Sequence, residues 1–123
     1  LDRGQTAFVN TIEEAAGIVR AIGNPALRTM LDTCAAANTE TEPVVALIER
    51  WLPTGLIAHV HLNDPNRRAP GQGSLRFGPI LAALRARGYD GTAAIEPFAY
   101  IPDGPGCAAR AIGYLQGLLE TLP

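Results

Sequence analysis

Asp32, His61 and Glu96 each close a short apolar run and stand just before a loop-forming stretch. A carboxylate, an imidazole and a second carboxylate make a mixed oxygen and nitrogen donor set. Such a set suits one divalent ion, Mn²⁺, Mg²⁺, Co²⁺ or Zn²⁺, and leaves further coordination positions for a substrate. His59 lies two residues before His61, so on a strand both rings point to one face, about 7 Å apart in depth. The stretch continues Asn63-Asp64-Pro65-Asn66-Arg67-Arg68, and an arginine there can hold a ligand oxygen by a charge-assisted hydrogen bond.

Each of these residues also has a plainer reading. Asp32 suits a turn or a cap at a strand end, and Asn63 and Asp64 read as turn residues. A lone His61 reads as a hydrogen-bonded core histidine, whereas its place on the middle strand favours a ligand. His59 is weighed as an interior packing residue against a substrate contact. Glu96 lies among small residues, where an unpartnered buried carboxylate is costly, so a metal or a basic group is its expected partner. Arg67 and Arg68 read as a solvated pair or, for Arg67, as a substrate contact. Cys34 reads as a small packing residue. Gly71-Gln72-Gly73 is no phosphate cradle, because no Gly-Lys-Ser/Thr follows it; a flexible loop suffices.

The elements that must position these side chains alternate along the chain. Thr11-Ile12-Glu13-Glu14 is a capping box, apolar residues recur at helical spacing through Ile22, and Gly23 closes that helix. Asn24-Pro25 turns the chain, and 27–32 reads as a strand. A helix over 41–52 carries Pro43 in its first turn and Val44, Leu47, Ile48 and Trp51 on one face. The run 56–62 is almost continuously apolar apart from its histidines, as in a parallel strand covered on both faces. A polar loop follows over 63–75, long enough to suggest a functional role. Next come a helix over 78–87 ended by a left-handed Gly88, a strand over 92–96, a Pro/Gly-rich loop, and a helix over 107–122. Helices between successive strands imply right-handed crossovers and a parallel sheet, with Asp32, His61 and Glu96 delivered to one edge of it.

Composition narrows the partners. The chain has 123 residues, enough for one small α/β domain, and its net charge of −2 provides no basic stripe for nucleic acid or an anionic membrane. Two cysteines without a CxxC spacing fit reduced thiols in a cytoplasmic protein. No apolar run approaches the roughly 18 residues of a bilayer span, and no basic-then-apolar leader opens the sequence. The chain begins at Leu1 rather than Met, which points to residues lost upstream.

Three segments carry a resemblance: Leu31-Asp32-Thr33, the run from His59 to Gly73, and Tyr89 through Phe98. Together they resemble the second half of the xylose isomerase-like TIM barrels, the sugar phosphate isomerase/epimerase superfamily, and most closely its ketose 3-epimerase and hydroxypyruvate isomerase branch. The resemblance implies that residues 1–123 form a partial (β/α)8 domain, its C-terminal half. It implies a single divalent metal on Asp32, His61 and Glu96, with Arg67 on substrate oxygens. It also implies a fourth ligand, a glutamate ending the preceding strand in a Glu-Pro-Leu-Asn-Arg-like segment. Leu1-Asp2-Arg3 resembles the tail of that segment, so the glutamate would lie just before Leu1. Ala35 stands where many epimerase relatives carry a substrate-facing histidine.

The implied activity is isomerisation or epimerisation of a small sugar or hydroxy-keto acid. Its barrier is dominated by negative charge growing on oxygen as a proton leaves the neighbouring carbon. A divalent ion stabilises the resulting enediolate, and a carboxylate beside it acts as general base, the role the resemblance gives Glu96. Two other outcomes are carried forward: a dehydratase of a cyclic polyol on the same fold, and a non-catalytic half-barrel that self-associates. A half-barrel leaves open sheet edges and an uncovered apolar face, so either the N-terminal half or a second copy is the expected partner.

Overall fold

The computed structural model of the chain describes residues 3–123; Leu1 and Asp2 of the leading Leu-Asp-Arg lie outside the described residues. The elements run α1 (Ile12–Ile22), β1 (Thr29–Asp32), α2 (Thr33–Thr39), α3 (Val44–Trp51), a 3-10 turn (Leu52–Thr54), β2 (Ile57–His61), α4 (Phe77–Ala86), β3 (Ala93–Ala94) and α5 (Gly104–Glu120). The three strands are parallel and lie in sequence order, β1-β2-β3. This is the expected α/β architecture of successive βα units.

Register explains how one strand serves two environments. Thr29 pairs with Ile57 and Met30 with His59, so Ala58 is skipped. From there Leu31 pairs with Val60, and Asp32 with His61. Ile57, Leu31 and Val60 therefore face the helices, where Leu31 and Val60 are fully buried with Leu47, Ile48, Phe77 and Ile80. Each such side chain contributes roughly 1.5–3 kcal/mol by leaving water. Met30, Asp32, His59 and His61 point to the opposite face and stay half-buried. In a closed barrel that face is the interior.

The helix starts are chemically determined. Thr11 Oγ1 accepts from Glu14 N–H, and Glu14 Oε2 accepts from Thr11 N–H, the expected reciprocal box. Gly23 and Gly88 take left-handed conformations, with φ of 65° and 68°, as expected. Val44, Leu47, Ile48 and Trp51 are buried along one side of α3.

Several boundaries differ from the sequence reading. Helix α2 was not expected; Asp32 initiates it by accepting Ala35 N–H at 2.8 Å, which turns the chain directly from strand into helix. Strand β1 begins at Thr29 rather than at 27, because Asn24 accepts the N–H groups of Ala26 and Leu27 and holds that segment in a turn. Strand β3 is only two residues long, so Glu96 lies beyond it. Helix α5 starts at Gly104, earlier than 107, since Asp103 caps it through Gly106 N–H and Pro105 is tolerated in a first turn. No helix among the described residues is long and apolar enough to cross a membrane.

Candidate active site

Asp32 ends β1, His61 ends β2, and Glu96 follows β3 by two residues. Parallel strands in register bring these carboxyl-terminal ends together. One donor atom from each of the three lies within 4.8 Å of the others. His61 Nδ1 is 2.8 Å from Glu96 Oε2 and 3.7 Å from Asp32 Oδ2. The Asp32 and His61 side chains are largely covered, whereas that of Glu96 is 51% exposed and remains accessible to a ligand.

The donor chemistry fits a divalent ion. Two carboxylate oxygens and one imidazole nitrogen converge on a common point, and carboxylate oxygen with imidazole nitrogen is the set that Mn²⁺, Mg²⁺, Co²⁺ and Zn²⁺ accept. Asp32 makes two contacts, on different atoms. Its Oδ1 caps α2 through Ala35 N–H, while its Oδ2 faces His61.

His59 and His61 do share a face, with their rings 4.9 Å apart and edge-on. A cavity of about 440 Å³ opens beside the cluster, lined by Asp32, His61, Glu96, Arg67 and Phe98 among others. That size lies within the roughly 300–1,000 Å³ of small-molecule sites. His59 stands outside this lining and adjoins it through the His61 ring and its strand partner Met30. Arg67 is exposed at the cavity, with a left-handed φ of 65°. Its carbonyl accepts from the N–H groups of Phe98 and Ala99, at 2.9 and 3.0 Å, and so ties the loop after β2 to the loop after Glu96.

Two residues read as plain turn formers do more. Asp64 is fully buried, and its oxygens accept Leu75 N–H at 2.9 Å and Gln72 N–H at 3.2 Å. The loop 63–75 is therefore pinned rather than simply flexible. Gly73 passes so close that a Cβ there would lie 2.6 Å from the Asp64 carboxyl. Asn63 is also fully buried; its side chain reaches Asp32 on one side and the Glu96 backbone on the other. The signal was strand parity: 59, 61 and 63 share a side, which places Asn63 with the histidines.

Parallel strands adjacent in sequence order, their carboxyl ends converging on one polar cluster, fit the barrel class of α/β proteins. A family model described as xylose isomerase-like TIM barrel matches residues 1–118, and the chain belongs to that family. Among curated relatives, the D-psicose 3-epimerase of Enterocloster bolteae is 39% identical over 98 residues, covering 80% of this chain and 32% of that protein. The D-psicose 3-epimerase of Agrobacterium fabrum is 34% identical, covering 80% and 33%. The chain thus spans about a third of the length of these relatives. The solved 3-keto-D-glucoside 4-epimerase of E. coli superposes with a TM-score of 0.83 at 25% identity, over 95% of this chain and 43% of that one. The relatives are sugar epimerases, and the chain corresponds to part of the barrel fold.

Proposed function

We propose that this chain supplies the Asp32, His61 and Glu96 portion of a metal-dependent active site that epimerises or isomerises a small ketose or hydroxy-keto acid. The observation that carries this reading is the convergence of three donor atoms, from three strand ends, within 4.8 Å. The names of the relatives support a sugar epimerase. Asp32 and His61 would hold a single divalent ion, together with Glu96. When bound, the ion supplies Lewis-acid stabilisation of negative charge on the substrate's oxygens.

The residues themselves would perform the following work. Glu96 has an exposed carboxylate beside the cavity, and its oxygen accepts the proton from carbon adjacent to the substrate carbonyl. His61 Nδ1, 2.8 Å away, is close enough to that carboxylate for both to serve as donors to one ion. Arg67, at the cavity, donates charge-assisted hydrogen bonds to a substrate oxygen. His59, packed edge-on against His61, sets the tilt of the ligand ring.

Epimerisation also needs a second carboxylate across the substrate plane from Glu96. On this reading a glutamate from the preceding barrel strand provides it, so the activity belongs to a protein in which the remaining barrel strands accompany these. Comparing ketose C3 epimerisation by this chain and by a version extended upstream tests the proposal. Turnover in the extended protein that depends on added divalent metal agrees with it. An extended, folded protein that neither binds metal nor turns over any ketose refutes it.

A further inference from the structure

Asn63 stands between the two carboxylates of the cluster. Its Nδ2 donates to Asp32 Oδ2 at 3.4 Å, the same oxygen that faces His61. Its Oδ1 accepts Glu96 N–H at 2.8 Å. Its backbone is held in turn: Asn63 N–H donates to Thr33 Oγ1 at 2.8 Å, and the Thr33 hydroxyl donates to Asn63 O at 2.7 Å. Thr33 and Asn63 are both fully buried. A single amide therefore spans the end of β1 and the start of the segment after β3, anchored at the end of β2.

The residue type is dictated by the two contacts. One partner is a carboxylate and requires a donor; the other is a backbone N–H and requires an acceptor. A primary amide supplies both from one short side chain. The contact to Glu96 also matters for a local reason. Strand β3 ends at Ala94, so ladder pairing does not reach Glu96, and Asn63 Oδ1 takes the place of a strand partner there. The Glu96 backbone is then tied to the Asp32 carboxylate through one side chain rather than through the sheet.

We infer that Asn63 is the positioning residue of the cluster: it selects Asp32 Oδ2 as the donor atom and holds Glu96 in line with it. This rests on the proposal that Asp32, His61 and Glu96 bind a divalent ion. Partners that orient metal ligands influence affinity by about 10- to 100-fold. Leu84 provides the contrast, because it is buried in the helical core and is not a member of the donor cluster.

Mn²⁺ titration of the full protein, followed by electron paramagnetic resonance, separates the roles. Asn63→Ala is expected to weaken Mn²⁺ binding by about 10- to 100-fold in a folded protein, while Leu84→Ala lowers the melting temperature and leaves the affinity at the wild-type value. Wild-type affinity in a folded Asn63→Ala protein overturns the inference, and so does an equal loss in both variants. If the wild type binds Mn²⁺ and His61→Ala abolishes it while Asn63→Ala does not alter it, only the positioning role fails. A wild type that binds no Mn²⁺ removes the proposed function as well. If Asn63→Ala does not fold, amide exchange in the wild type decides: Mg²⁺ is expected to slow exchange of the Glu96 N–H, and exchange indifferent to Mg²⁺ overturns the role.

Discussion

His61 Nδ1 and Glu96 Oε2 lie 2.8 Å apart although 35 positions separate 61 from 96 in the sequence. The contact arises because β2 pairs with β3 as far as His61–Ala94, and the chain then carries Glu96 two residues further, back over the imidazole. A carboxylate so placed stands beside the ring and is open to a ligand.

Arg67 provides the first test of the cavity. Arg67 lines the cavity while its carbonyl joins two loops, so side-chain truncation leaves the backbone bonds in place. Arg67→Ala is expected to raise KM for the ketose about 10- to 100-fold, the worth of a charged hydrogen bond, with kcat little changed and the melting temperature preserved. Steady-state kinetics on the extended protein check this, and an unchanged KM would remove Arg67 from the substrate.

Gly73 tests whether the loop after β2 is pinned. A methyl group there would meet the Asp64 carboxyl, which two backbone N–H groups hold in place. Gly73→Ala is expected to destabilise the protein by about 1–3 kcal/mol, the cost of overpacking a site that cannot yield. Urea denaturation measures it, and a midpoint identical to wild type would show the loop to be loose.

Glu14 tests the α1 cap through pH. Its carboxylate accepts backbone N–H groups of Thr11 and Asn10, which hold its pKa below the ordinary value of 4.5. A depressed folded-state pKa contributes stability that is present above the unfolded value and lost as pH falls through the folded one. The melting temperature of Glu14→Gln is therefore expected to fall below wild type near neutral pH and to converge with it in acid below that folded value. A gap of constant size across the range would contradict the assignment.

Much of this was legible from residue pattern. Asp32, His61 and Glu96 each end an apolar run, and parallel strands leave such ends on one side, so their convergence followed from alternation alone. Helix α1 was readable because capping chemistry is local. Helix α2 was hidden because Asp32 performs two tasks, and a strand-end acid that also caps a helix leaves no intervening turn residues to announce it. The role of Asn63 was hidden because Asn is a common turn residue, and its partners, Asp32 and Glu96, are 31 and 33 positions away. The brevity of β3 was likewise invisible, since it depends on pairing across the sheet rather than on its own residues.

The central claim is that Asp32, His61 and Glu96 share one divalent ion. Calorimetric titration of Mn²⁺ into the extended protein and its His61→Ala variant tests it most directly. A single equivalent is expected to bind to the wild type, with at least a 100-fold weaker affinity, about 2.7 kcal/mol, without the imidazole. Undiminished Mn²⁺ affinity in a folded His61→Ala protein would contradict it.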